Sequence, residues 1–305
     1  MDFLSLGDPD GVGGLRHLRA LSDRYGDAGL TVLGVHVPAY EFERSPEAVR
    51  RELWRLGVPW PVALDRTYEV FRAWNAGDLP CRALVDHQGF LRTLGRGADA
   101  LAELESTIRL LLSEGRPEQP LPPTLEPDPA VGRPGAPRWY PTPEIRFGTR
   151  GLALAEPGEP EPEERTFETP PDLRAEGRPY LEGTFGSAAD HLELRSDEGQ
   201  VAIVFEGADA LAVLGTPPDS GDEIPELEFR VDGATPGPRF AGADVDLDDA
   251  GEAGPVARAL VERGGVYELV CGLPFGVHHL EIRIRGRGVQ LHGLRFGTRD
   301  VPDAP

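Results

Sequence analysis

The sequence has two cysteines, Cys81 and Cys271, whose thiols could do redox chemistry. They lie in different halves of its 305 residues. They form no Cys-x-x-Cys pair, no zinc-ligand spacing and no disulfide framework, so neither dithiol chemistry nor structural zinc is expected from them. Cys81 directly follows Pro80 and could act as a lone thiol that forms a mixed disulfide or binds glutathione. The alternative for Cys81 is a small, half-buried strand residue. Cys271 alternates with Tyr267 and Leu269 and is expected to pack within a strand.

An acidic run of sequence DVDLDD begins at Asp244. Because calcium takes oxygen ligands, Asp244, Asp246 and Asp248 are candidate ligands of a calcium site in a β-sandwich. The run does not fit an EF-hand loop, which requires Gly where Asp249 stands and Glu where Pro255 stands. A solvated acidic loop is the alternative interpretation.

The histidines and the short catalytic motifs indicate no further site. His278 and His279 are adjacent on a predicted strand and therefore point to opposite faces, which is poor geometry for binding one metal ion. His36 ends a predicted buried strand and is expected to satisfy a backbone group rather than to act in catalysis. The sequence has no G-x-S-x-G, H-E-x-x-H or phosphate-binding loop, so no cofactor is expected.

Several aromatic side chains in the second half of the chain could stack on a sugar ring. They are Tyr180, Phe185, Tyr267 and Phe275. The alternative is that a β-sandwich buries them in its core, as such folds commonly do. Trp139 and Tyr140 are better candidates for exposure, although they could also dock a linker.

The charge balance excludes one class of partner. The chain has 31 Lys+Arg and 52 Asp+Glu, which gives a net charge of −21 at pH 7. Phosphate-backbone binding needs a clustered positive face, so no nucleic-acid partner is expected.

No apolar run reaches the ~18 residues of a membrane span, and Met1 does not open a signal peptide. The sequence as written therefore predicts a cytoplasmic protein, whereas an upstream start would reopen an extracytoplasmic location.

Residues 1–114 alternate between strand and helix patterns. The apolar run 30–37 is typical of a buried strand, Ser45 and Asp65 are placed to cap helices, and the last helix is predicted over 98–112. The order β-α-β-α-β-α-β-β-α predicts an α/β domain with a parallel sheet, extended by an antiparallel hairpin at its edge.

Residues 115–141 are rich in proline without hydrophobic periodicity, which predicts a semi-stiff extended linker. Residues 142–299 contain short alternating runs separated by Gly, Pro and Asp turns, which predicts a jelly-roll-like β-sandwich. A short tail, 300–305, follows. The sequence Arg-Phe-Gly-Thr-Arg occurs at 146–150 and again at 295–299. The first and last strands of this domain could therefore pair side by side and close the sandwich.

The order of these motifs resembles the thioredoxin-like domain of the TlpA/DipZ type of thiol–disulfide oxidoreductases. Asp2-Phe3-Leu4 matches the strand before the family's active site, 15–21 resembles the helix after it, and 25–42 resembles the next strand and loop. Leu79-Pro80 matches the loop proline that is usually cis and faces the active site. The segment TPEIRFG from Thr142 resembles the carbohydrate-binding-module-like sandwich of DipZ-type proteins. The resemblance implies an α/β thioredoxin-like domain followed by an all-β sandwich.

The resemblance also places the family's two active-site cysteine positions on Asp8 and Gly11. A carboxylate cannot form a disulfide and glycine has no side chain, so neither residue could resolve a mixed disulfide. Asp8 is expected to cap the helix instead. The Leu79–Pro80 peptide bond is expected to be cis, and Cys81 is expected to lie within reach of the active-site loop.

Three functions from different classes remain open. The first is a redox-degenerate scaffold whose β-sandwich binds a protein or glycan ligand. The second is an oxidoreductase that acts through Cys81, with a partner thiol supplied in trans. The third is a carbohydrate-binding protein whose first domain is vestigial. Whether the chain is an enzyme therefore depends on Cys81.

The strand that opens the chain is also expected to be short. Only Met1 precedes Asp2-Phe3, so this central strand would have about half its usual length in the family. Two explanations compete: the true start lies upstream, or the domain is a degenerate remnant that no longer does chemistry.

Overall fold

The structure, a computed structural model, describes the following parts of the chain: 1–97, 101, 103–126, 140–149, 164–168, 175–216, 224–248 and 255–298. The chain divides into two compact units, Met1–Pro137 and Arg138–Pro305, called the first and second units below. Within the described residues, no helix combines the length and the apolar character needed to cross a bilayer.

The first unit is a thioredoxin-like α/β domain. Its strands are β1 (Asp2–Leu4), β2 (Gly34–His36), β3 (Val62–Leu64), β4 (Cys81–Val85) and β5 (Leu91–Arg96), and its helices are α1 (Pro9–Tyr25), α2 (Pro46–Arg55), α3 (Glu69–Ala73) and α4 (Leu104–Gly115). The sheet order is β3-β2-β1-β4-β5. The first three strands are parallel, whereas β4 runs antiparallel to β1 and β5 antiparallel to β4. The predicted hairpin therefore supplies the antiparallel edge.

Apolar side chains cover both faces of this sheet. On one face, Leu4 packs with leucines of α1 and with side chains of α2 and α4. On the other face, Phe3 and Cys81 pack with the apolar side chains of α3. Because successive side chains of a strand point to opposite faces, the neighbours Phe3 and Leu4 belong to different clusters.

Three predicted elements of the first unit differ from the structure. The last helix, expected over 98–112, runs over Leu104–Gly115. The apolar run 30–37 forms a strand only over Gly34–His36, because β1 offers just three residues for pairing. The helix expected directly after Asp65 begins at Glu69. Asp65 nevertheless acts on this helix, since its carboxylate accepts a hydrogen bond from the backbone N–H of Phe71 at 2.7 Å.

Part of the proline-rich segment contacts the first unit. Its described residues 116–126 follow α4 directly. The carbonyl of Pro123 accepts a hydrogen bond from Arg24 on α1 at 3.0 Å. The backbone N–H of Leu125 donates to Glu105 on α4 at 2.8 Å. Residues 116–126 are therefore held against α1 and α4 by hydrogen bonds, which an extended spacer does not require.

Residues 127–139 lie outside the described residues, and a linker there stays a prediction. Trypsin is expected to cut the native protein after Arg138, because Arg133 precedes proline and exposed Pro/Gly linkers carry few contacts. Mass spectrometry and circular dichroism of the products should show two folded fragments. Unfolding of both fragments after the cut would contradict the prediction and indicate one shared core.

The second unit is an all-β sandwich. Its strands are β6 (Ile145–Arg146), β7 (Arg165–Phe167), β8 (Tyr180–Ser187), β9 (Leu192–Leu194), β10 (Glu198–Gly207), β11 (Asp209–Gly215), β12 (Glu226–Val231), β13 (Asp246–Asp248), β14 (Val256–Leu260), β15 (Gly265–Val270), β16 (Gly276–Arg285) and β17 (Gln290–Gly297). Their order is β13-β14-β12-β16-β10-β8-β9-β17-β11-β15, with β6 on β17 and β7 on β8. The named strands pair antiparallel throughout.

Strand β8 connects the two layers of the sandwich. Its residues 180–182 pair with β10, and residues 183–187 pair with β7 and β9. The change of partner occurs at Gly183, whose φ of 107° favours glycine. A Cβ at this position would lie 2.9 Å from the carbonyl oxygen of Glu198. The sheet can therefore curl around one shared core.

The first and last strands of the second unit pair, as the repeated Arg-Phe-Gly-Thr-Arg motif predicts. Ile145 lies opposite Leu294, and Arg146 lies opposite Gly293. The final residue of each motif copy, Arg150 or Arg299, lies outside the described residues. The β6–β17 pairing joins the two ends of this unit.

Candidate functional site

The N-terminus of α1 holds Asp8 and Gly11, the two residues on which the resemblance places the family's active-site cysteines. Asp8 caps this helix as predicted, with Oδ1 accepting a hydrogen bond from the backbone N–H of Asp10 at 3.2 Å. Gly11 is buried, and a Cβ added there would lie 3.3 Å from the carbonyl oxygen of Ser5. The helix N-terminus therefore carries a capping carboxylate and a tightly approached glycine, which together offer no thiol.

Cys81 is placed differently from the expectation that it reaches the active-site loop. The preceding Leu79–Pro80 peptide bond is cis, but the Cys81 side chain is fully buried opposite Phe3. It therefore lies on the sheet face that α3 covers, whereas α1 packs on the other face. Burial raises the pKa of the Cys81 thiol, an effect that Arg96 and Arg82 oppose. The protonated thiol is a weak nucleophile.

A buried ion pair lies on the α1 face of the sheet. Asp2 on β1 is directly opposite Arg82 on β4, with 3.3 Å between Asp2 Oδ1 and Arg82 Nε, and each side chain is only 2 % exposed. Burial raises the pKa of the Asp2 carboxyl, and Arg82 acts against this rise. The guanidinium reaches α1 at Gly14, where an added Cβ would overlap it. Glycine at this position therefore makes room for the pair.

Glu43 is the centre of a buried hydrogen-bond network. Its carboxylate accepts hydrogen bonds from the Ser5 hydroxyl (2.7 Å) and from the backbone N–H groups of Leu6 (2.7 Å), Ala39 (3.1 Å) and Tyr40 (3.2 Å). Ser5 Oγ in turn accepts from the backbone N–H of Gly7 at 3.1 Å. Glu43 therefore ties together two loops: the loop that enters α1 and the loop after β2.

The partner of His36 differs from the one expected. Its Nε2 lies 2.9 Å from Glu43 Oε2, and both side chains are buried. The prediction of a backbone partner was wrong because the buried acceptor, Glu43, comes from a 3-10 helix, Glu41–Arg44, that lies outside the strand pattern. Sequence reasoning missed Glu43 altogether. The one available signal was a glutamate just after a buried strand, which also fits an exposed turn.

The candidate calcium residues are engaged with protein groups. Asp244 accepts a hydrogen bond from Arg263 at 2.8 Å and another from the backbone N–H of Glu268 at 2.9 Å. Asp248 lies 3.7 Å from Arg258, and Asp246 is exposed on the same short strand. In the part of the chain that is described, these aspartates do not form a cluster of converging metal-ligand atoms.

The candidate sugar-binding aromatics are largely buried. Tyr180 is 7 %, Phe185 1 % and Tyr267 2 % exposed, so these three contribute to the core. Phe275 is half-buried and Tyr140 is exposed, whereas Trp139 lies outside the described residues. Of the adjacent histidines, His278 contacts Asp232 at 2.8 Å and His279 lies 3.6 Å from Glu281.

A cluster of three potential metal ligands, which sequence reasoning missed, lies in the second unit. Asp190 and His191 belong to the turn between β8 and β9, and His292 lies on β17. Their ligand atoms all lie within 4.8 Å of one another. Burial lowers the pKa of His292 to about 4, so its imidazole is neutral near pH 7. Only the adjacency of Asp190 and His191 was available as a sequence signal.

Comparison with known proteins identifies the family. The family model described as "Thioredoxin like C-terminal domain" matches residues 142–297, just over half of the chain. This chain belongs to the thioredoxin-like proteins of the TlpA/DipZ type. The protein DipZ of Mycobacterium bovis and that of Mycobacterium tuberculosis are each 30% identical to it over 202 residues. That match covers 65% of this chain and 28% of each DipZ protein.

Two further proteins are similar to the TlpA/DipZ-type chain. The thioredoxin-like protein SkfH of Bacillus subtilis is 32% identical over 71 residues, covering 23% of this chain and 50% of SkfH. A crystal structure of a putative thiol:disulfide interchange protein DsbE from Chlorobium tepidum is 20% identical, with a TM-score of 0.32. It covers 36% of this chain and 77% of the DsbE chain. The chain spans less than a third of the DipZ proteins it matches.

Proposed function

We propose that this member of the thiol–disulfide oxidoreductase family is inactive by the dithiol mechanism and serves as a binding scaffold. The observation that carries the proposal is the α1 N-terminus, where Asp8 caps the helix and Gly11 has no side chain. A dithiol enzyme needs a thiolate nucleophile and a second cysteine that resolves the mixed disulfide. Neither position supplies sulfur.

The surroundings of the lost cysteine positions support a scaffold role. Glu43 holds the loop that enters α1 through Ser5 and Leu6, and Asp8 satisfies the first turn of the helix. These contacts use side chains that take no part in sulfur chemistry. The backbone at the α1 N-terminus is therefore kept in place without the redox residues, as a scaffold requires.

The second unit is proposed to bind a partner with polar and charged groups. Strands β10, β12 and β16 form a shallow pocket lined by Gln200, Glu228, Arg230, Glu281 and Arg283. Arg283 lies opposite both Gln200 and Glu228 in the strand registers, and Arg230 lies opposite Glu281. Arg and Glu side chains suit charged groups of a protein ligand, whereas aromatic faces are the usual platform for sugar rings.

A protein that is inactive by the dithiol mechanism should not catalyse the reduction of insulin. With dithiothreitol as reductant, the protein should precipitate insulin no faster than buffer, and Cys81→Ser should behave the same. In a Cys271→Ser background, Ellman's reagent should modify Cys81 slowly in native protein and at once in urea, because burial hides the thiol and raises its pKa.

Two results would contradict this assignment. Insulin reduction that Cys81→Ser abolishes would establish the alternative, an oxidoreductase that acts through one thiol. Binding on a glycan array that is lost when residues 142–299 are deleted would instead favour the carbohydrate-binding alternative.

A further inference from the structure

The turn between β8 and β9 lies against strand β17, at the point where one edge of β17 changes its pairing partner. On one edge of β17, Gln290 and Leu291 pair with β9, whereas Gly293 and Leu294 pair with β6. His292 stands between these two pairings. Its imidazole is fully buried although it is polar, because the turn containing Asp190 and His191 lies against it.

The three side chains meet around the Asp190 carboxylate. Oδ1 of Asp190 is 2.9 Å from His191 Nδ1, and Oδ2 is 3.8 Å from His292 Nδ1. The two imidazole rings are 5.0 Å apart between centroids. One carboxylate therefore lies between two imidazoles that come from distant parts of the chain.

From this geometry we propose that Asp190, His191 and His292 bind a divalent transition-metal ion of the zinc class. Two imidazoles and one carboxylate are the donor types that zinc takes in sites with three protein ligands and one open position. The site is distinct from the α1 N-terminus and does not depend on the proposed scaffold function.

The distances fit such an ion after small side-chain shifts. Tetrahedral zinc with bonds of about 2.0–2.1 Å places neighbouring ligand atoms roughly 3.3 Å apart. The separations from the Asp190 carboxylate, 2.9 Å from Oδ1 to His191 and 3.8 Å from Oδ2 to His292, lie on either side of that value. With one ligand atom from each residue, all three atoms lie within 4.8 Å of one another, so they must move closer together to bind one ion. His292 Nδ1 also lies 3.1 Å from the Asp190 carbonyl oxygen, and coordination through Nδ1 would replace this hydrogen bond with the metal bond.

One of the three candidate ligand side chains is buried and rigid, and the other two are partly exposed to solvent. His292 is held within the sheet and fully buried, whereas the side chains of His191 and Asp190 are 14% and 25% exposed. An ion can therefore enter from the solvent side of the turn. Once bound, it would join the β8–β9 turn to β17 and stabilise the folded second unit by an amount that grows with the logarithm of the ion concentration relative to its Kd.

The test uses the full chain after treatment with a chelator. Isothermal titration with Zn²⁺ should show one ion per chain, and Co²⁺ should give the visible absorption of a tetrahedral site. Loss of an outer-shell partner lowers metal affinity by roughly 10–100-fold. Because His191 and Asp190 would bind the ion directly, His191→Ala and Asp190→Asn should each lower the Zn²⁺ affinity by more than this. His278→Ala is the matched control, because His278 also pairs with an aspartate, at 2.8 Å, in the same unit.

If the variants do not fold, the unaltered protein can be tested by NMR. Histidine-selective NMR of the protein, which has 7 histidines, should show Zn²⁺ shifting the imidazole signals of His191 and His292. Absence of stoichiometric binding, binding that His191→Ala leaves unchanged, or shifts confined to other histidines would overturn the metal site.

Discussion

Replacing Glu43 by alanine is expected to lower the free energy of unfolding of the first unit by about 3–5 kcal/mol, because several buried groups lose one shared hydrogen-bond partner. The variant leaves the donors of Ser5, Leu6 and His36 without their buried acceptor. A buried donor that has lost its partner costs about 1–3 kcal/mol. Partial entry of water would keep the total below the sum of the separate costs.

The effect can be measured by urea denaturation followed by tryptophan fluorescence. A Trp139→Phe background removes the tryptophan outside the described residues, so that the remaining ones all report on the first unit: Trp54, Trp60 and Trp74. Glu41→Ala is the matched control on the same 3-10 helix. Glu41 is 77% exposed and pairs with Arg44, so its loss should cost at most about 1 kcal/mol. Equal costs for the two variants would show that the buried network contributes little.

Replacing Arg82 by methionine is expected to have a comparable effect that depends on pH. At pH 7 the variant leaves the Asp2 carboxylate buried without its counter-ion, which should cost about 3–5 kcal/mol. Methionine keeps much of the apolar stem of arginine, so lost packing should contribute less than the lost charge. The same fluorescence assay measures this cost.

The direction of the pH dependence follows from the pKa of Asp2. Burial raises this pKa above its ordinary value of 3.8, and removal of Arg82 raises it further. Between the ordinary and the raised pKa, the folded variant binds more protons than the unfolded chain, so its stability falls as pH rises through that window. The penalty of Arg82→Met relative to the unaltered protein should therefore be smaller near pH 4 than at pH 7.

A double variant separates charge from packing. Asp2→Asn/Arg82→Met removes both charges together and should recover much of the stability lost by Arg82→Met alone at pH 7. The interpretation fails if the double variant is as unstable as the single one, or if the Arg82→Met penalty is the same at pH 4 and pH 7.

Much of the fold follows from local sequence patterns. The alternation of strands and helices predicts the α/β class of the first unit, and the short runs between turns predict the all-β class of the second. Asp8 and Ser45 cap α1 and α2 as their positions predict. The repeated Arg-Phe-Gly-Thr-Arg motif indicates the β6–β17 pairing. Each of these features depends on the spacing of a few neighbouring residues or on a repeated segment.

The buried polar groups required the tertiary structure. The sequence predicted that Asp8 would cap α1, but it did not indicate that Glu43 would accept hydrogen bonds from both adjoining loops. Nor did it indicate that Cys81 would face α3. Which face a strand residue takes depends on its register with neighbouring strands, which a short pattern does not contain.

The Asp190–His191–His292 cluster shows the same division. Asp190 and His191 are adjacent in the sequence, whereas His292 is distant along the chain and joins them only through the position of β17 beside the β8–β9 turn. Local periodicity determines which residues form strands, because it reflects the two faces of one element. Contacts between distant side chains are decided by how strands pair and turns fold back, so only the tertiary structure brings these three ligands together.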